Sequence, residues 1–154
     1  MKLTEAKLKQ MILEMMSQSE NYYNKLKTLM ATEEGFRMAE SLYEMVKDTL
    51  KPKERTDLWT YFSTIDLARE LFTLKLQHDK AEEKYNQIEV KLLKGAPIDA
   101  EADKAYSAMV QASKAHYKKK KEFDQRMSTM LKHGDREIYR VVNSMTRKIL
   151  RGQL

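Results

Sequence analysis

The chain has no cysteine, two prolines and four glycines among its 154 residues. The first absence removes disulfides and thiolate-bound metals. Scarce Pro and Gly remove the punctuation of strand-and-turn folds and favour long helices. No run of about 18 apolar residues occurs, so no membrane span is expected. Glu5, Lys7 and Lys9 interrupt any apolar stretch at the start, so no secretory signal is expected either. No two glycines lie close enough to cradle a phosphate, and no Gly-x-Ser-x-Gly elbow is present. No histidine has a Glu three positions before it, which excludes the paired Glu-x-x-His of ferritin-like diiron centres. With these signatures missing, the expected protein is not an enzyme and carries no cofactor.

What is present is helical periodicity, with 42% hydrophobic and 34% charged residues. Leu58, Tyr61, Ile65, Ala68, Leu71, Leu74, His78, Ala81, Tyr85, Ile88 and Leu92 recur at steps of three and four. Ala102, Tyr106, Met109, Ser113, His116, Lys120, Phe123, Met127 and Met130 do the same after a break at Gly95-Ala96-Pro97-Ile98-Asp99. Two heptad-type seams joined by a short loop predict an antiparallel helical hairpin over residues 56–132, capped at Thr56 and Asp99. Two helices precede it. Residues 4–30 start at a Thr4 cap, and residues 32–50 start at Thr32 and stop before Pro52. Asp135 caps a fifth helix over 136–150. The expected fold is a single all-α domain in which the hairpin packs with shorter helices into an elongated bundle. Leu58, Trp59, Tyr61 and Phe62 read as core where the other helices meet the hairpin, with an exposed anchor for a partner as the alternative.

Charge is distributed unevenly. Residues 114–151 hold twelve basic residues against four acids, or +8, which leaves −2 for the rest of a chain of net charge +6. Such asymmetry marks an anionic partner. Arg136, Arg140, Arg147 and Arg151 fall at about 0°, 40°, 20° and 60° around a helix. Ile138, Val142, Met145 and Ile149 fall at about 180–240°, so the helix can dock while presenting four guanidinium groups to phosphates or carboxylates. Lys118 to Lys121 spread round their helix instead. Lys118 and Lys121 can join an anion-binding face, whereas Lys120 falls on the seam, where it should weaken the hairpin.

If the arms turn near residues 96 and 97, facing positions sum to about 193, and His78 meets the level of His116. The expected role of the pair is a polar layer that fixes register, with a metal site or a pH switch as alternatives. His133, at a helix end beside Gly134, suits the helix dipole better than acid–base work.

The opening Met1-Lys2-Leu3-Thr4-Glu5-Ala6-Lys7-Leu8-Lys9-Gln10-Met11-Ile12 resembles the amphipathic openings common among proteins of marine tailed phages. The resemblance covers only these dozen residues; it implies a phage origin but no function or site residue. The expected function is a structural or protein-interaction protein that self-associates into a homo-oligomer. The alternative is a nucleic-acid-binding accessory protein that uses the basic C-terminal region without sequence preference. An acidic protein would satisfy the same arginines. The expected location is the cytoplasm, or the virion if the chain derives from a phage.

Overall fold

A computed structural model describes residues 22–154 together with Ala6, Lys7 and Gln10. The Thr4 cap, most of the first expected helix and most of the phage-like opening lie outside the described residues. The fold is all-α. In order come α1 (Tyr22–Leu29), α2 (Glu33–Val46), a 3-10 turn (Lys47–Thr49), α3 (Pro52–Leu93), α4 (Ala100–His133) and α5 (Arg136–Leu150). No described helix is long and apolar enough to cross a membrane. The chain divides into two compact units. One joins Met1–Ile65 to Thr129–Met145, and the other joins Asp66–Ser128 to Thr146–Leu154.

The first unit is built around α2 and the start of α3. Thr32 is extended, and its hydroxyl accepts from the Gly35 N–H at 3.0 Å, which starts α2 as expected. A side chain at Gly35 has no room, because a Cβ there would lie 2.0 Å from the Leu29 carbonyl oxygen. Phe62 sits 5.3 Å from both Phe36 and Tyr43, edge-on to the first, and Leu26, Met30, Leu42, Leu58, Ile65, Ile138 and Val142 are buried in the same unit. Of the four residues assigned to this core from the sequence, Leu58, Tyr61 and Phe62 are buried, but Trp59 is 52% exposed.

Two expected boundaries move. The helix of residues 32–50 ends at Val46 and finishes as a 3-10 turn. Pro52 does not merely stop a helix; it begins α3, four residues before the expected Thr56 cap. Proline suits a first helical position because its missing N–H has no partner there to lose. The Glu54 carboxylate then accepts from the Lys51 N–H at 3.0 Å, half of a capping box. Thr56 is interior to the helix, and its hydroxyl donates to the Pro52 carbonyl at 2.9 Å. Thr60 and Thr64 repeat the pattern one and two turns later, at 2.8 and 2.6 Å.

In the second unit the later part of α3 runs antiparallel to α4. Glu70 meets Lys119, His78 meets His116 and Tyr85 meets Tyr106, so numbering rises on one arm as it falls on the other. The turn between the arms is a Schellman closure. The Ala96 N–H donates to the Lys91 carbonyl and the Gly95 N–H to that of Leu92, with Gly95 at φ +93°. Asp99 caps α4, its carboxylate accepting from the Ala102 N–H at 2.9 Å. Leu67, Ala68, Leu71, Ala102, Ala105, Phe123, Thr146 and Ile149 are the buried residues of this unit. None of residues 72–101 is buried, and none of 106–122.

Candidate functional site

Helix α5 is positioned at its start by Asp135, whose carboxylate accepts from the N–H groups of Glu137 (2.9 Å) and Ile138 (3.2 Å). Tyr61 holds the same connection, its hydroxyl accepting from the Asp135 N–H at 3.0 Å. Ile138, Val142, Met145 and Ile149 are all at most 2% exposed. Arg136 and Arg140 on the first unit are exposed, as are Arg147 and Arg151 on the second. Among the described residues none of the four is held in an ion pair. Each unit therefore offers one pair of guanidinium groups four residues apart, free to meet an external anion.

The lysine run divides differently from expectation. Lys118, Lys120 and Lys121 are exposed. Lys120 does not lie on the seam. Lys119 takes the inward position, 3.0 Å from Glu70 across the hairpin and 3.8 Å from Glu122. The cause is a step of three from His116 where the sequence pattern had suggested four. The Glu70 carboxylate holds the Lys119 ammonium above its ordinary pKa, chiefly by hydrogen bonding. The predicted wedge in the hairpin is thus a clasp.

His78 and His116 stand face to face, ring centres 6.3 Å apart and planes within 21°. His78 Nδ1 lies 3.8 Å from an Asp79 oxygen and 3.9 Å from a Glu82 oxygen. Both rings are half-buried between the arms. Burial, followed by the neighbouring His78, pushes the His116 pKa below its ordinary value. The spacing placed the two rings at one level, but it did not single out which carboxylates turn toward them.

A third site went unnoticed in the sequence. Lys53, Thr56, Asp57, Thr60, Tyr61 and His133 line a cleft of about 500 Å³ in the first unit. The Tyr23 hydroxyl donates to the Asp57 carboxylate. Burial, then Asp57, pushes the Tyr23 phenol far above its ordinary range. Burial raises Tyr61 too, although the Asp135 N–H opposes it. No spacing signal joins residues 53–61 to 129–134, because only tertiary packing brings them together.

No known protein family, curated protein or solved structure matches the chain. The chemistry of its sites must therefore be read from geometry. In the cleft, Asp57 accepts from the Tyr23 hydroxyl and Tyr61 accepts from the Asp135 N–H. His133 is exposed on the last turn of α4. The arginines and outer lysines offer charge to an anion, and the histidine layer offers nitrogen and oxygen donors at one level.

Proposed function

We propose that this chain is a helical interaction protein that associates with copies of itself through the hairpin of its second unit. The observation behind the reading is the bare seam. Leu74, Ala81, Tyr85, Ile88 and Leu92 reach only intermediate burial, because two helices cover one side of a stripe that usually spans more than about 100°. Outside the seam, Leu76 and Val90 are 45% and 50% exposed on α3, within about 40° of one another. On α4 the seam residue Tyr106 and its neighbour in angle Tyr117, within about 20°, are 54% and 70% exposed. A second hairpin laid antiparallel would turn two helices into four, the smallest arrangement that encloses such faces. The phage origin suggested by the opening residues is compatible with an assembling role.

The test is molar mass by light scattering at micromolar concentration. Wild type should exceed the 18.2 kDa of one chain. Leu76→Glu with Val90→Glu should return it to one chain with helix content intact, because both positions are exposed in the single copy. A wild-type mass of one chain throughout that range refutes the reading.

A second reading rests on the four exposed arginines. A nucleic acid would meet them through phosphates, so affinity would fall steeply with salt and vary little with sequence. Arg140→Glu with Arg147→Glu should weaken binding of a fluorescent oligonucleotide more than charge reversal at Lys118 and Lys121. Loss of the oligomer in the arginine variant would instead assign these residues to protein carboxylates. Absence of wild-type binding at about 50 mM salt removes this reading.

A further inference from the structure

Residues four apart share a helix face, so His78 and Glu82 project together from α3 toward the level of His116 on α4. One donor atom from each of His78, Asp79 and Glu82 lies within 4.8 Å of the others. The 3.8 and 3.9 Å separations at His78 Nδ1 are too long for hydrogen bonds. They are close to the roughly 3.3 Å between donors around a tetrahedral ion with bonds of about 2.0–2.1 Å. A rotation of the exposed carboxylate tips closes the difference. The geometry points to a binding site for a divalent transition-metal ion formed by His78, Asp79 and Glu82, with His116, its ring centre 6.3 Å from that of His78, turning in from the facing arm as the fourth donor.

The donor set defines the class of ion. Two imidazoles and two carboxylates suit zinc, cobalt, nickel or copper, whereas magnesium and calcium prefer oxygen alone. Lys75 and Lys120 lie near His116 and oppose a cation. Asp79 and Glu82 supply the opposite charge beside His78. A metal here would bind both arms at a level where no side chain is buried. Its effect would be to fix the pairing of the arms, so stability reports it without any assay of activity.

The experiment uses the full chain, stripped with EDTA and dialysed. Cobalt should give visible d–d bands that saturate at one ion per chain and that zinc displaces. Zinc should raise the melting temperature by several degrees once it exceeds its dissociation constant about a hundredfold. Magnesium at the same concentration should do neither. His116→Asn, which keeps the size of a polar side chain in the layer, and Glu82→Gln should abolish both signals. His133→Ala should keep them, and circular dichroism of the metal-free variants checks that each is folded. The site is overturned if wild type gives no cobalt spectrum. It is equally overturned if magnesium matches zinc, if His116→Asn binds like wild type, or if His133→Ala loses binding.

Discussion

Gly35→Ala puts a methyl group where the end of α1 already stands. The new carbon would lie 2.0 Å from the Leu29 carbonyl oxygen, 2.8 Å from the Thr32 hydroxyl and 2.9 Å from the Leu29 carbonyl carbon. Ordinary contact begins near 3.4 Å, so the oxygen must retreat by about 1.4 Å. That oxygen belongs to the backbone, and no side-chain rotation relieves it. Forcing such a shift in packed structure costs about 1–3 kcal/mol. Displacing Thr32 loosens the cap, for about 1 kcal/mol more. Against these stands the better helix propensity of alanine, about 1 kcal/mol. The net is a loss of about 2 kcal/mol, which in a chain of this length lowers Tm by about 4–8 °C. Thermal unfolding followed by circular dichroism measures it, with Thr32→Ala and the double variant completing a cycle. Because the cap is lost only once, the double variant should cost less than the sum of the singles. Gly95→Ala is the contrast: nothing lies within 4 Å there, so only the positive φ is penalised, by about 1 kcal/mol. A Gly35→Ala protein as stable as wild type would refute the close approach of α1 to α2.

Two pH effects follow from shifted groups. Tyr23 has its phenol raised by burial and by Asp57, so the folded state holds the proton more tightly than the unfolded chain. Its contribution is complete below the ordinary phenol pKa of about 10 and is lost as pH rises beyond it. Urea unfolding between neutral and strongly alkaline pH should show a decline that is shallower in Tyr23→Phe, and equal slopes would exclude the bond. His116 is shifted downward, so its neutral form is the one the fold favours. Stability is then complete above about 6.5 and falls as pH drops below it. In EDTA, His78→Leu with His116→Leu should flatten that fall and raise Tm at pH 5. An unchanged acid limb would show that the layer is not the cause.

Helix α5 was legible to the residue, because Asp135 offers a cap and Ile138, Val142, Met145 and Ile149 keep one uninterrupted face. The pairing of His78 with His116 was legible too, since an antiparallel hairpin with a short loop has little freedom of register. The start of α3 was not. Proline carries opposite meanings before a helix and at its first position, and only the Glu54 bond to the Lys51 N–H distinguishes them. Lys119 and Lys120 were exchanged because a seam accepts a step of either three or four. The exposure of Trp59 was hidden by its neighbours, since Leu58, Tyr61 and Phe62 occupy the inward directions of the same turns. The cleft at Asp57 and His133 left no local trace at all.

The bare seam also sets how this protein breathes. Amide hydrogens in a helix exchange with solvent when a few turns open, and the cost of opening depends on the side chains that packing must release. Around Leu67, Leu71 and Phe123 that release is expensive, so exchange there should follow the slowest unfolding of the second unit. From about Lys80 to Val90, and from Tyr106 to Ser113, opening uncovers no buried side chain. Those amides should exchange in order of distance from Phe123, fastest beside Gly95, as the arms unzip from the turn. A bound second copy would erase that gradient, which makes deuterium uptake a map of whatever settles on the hairpin.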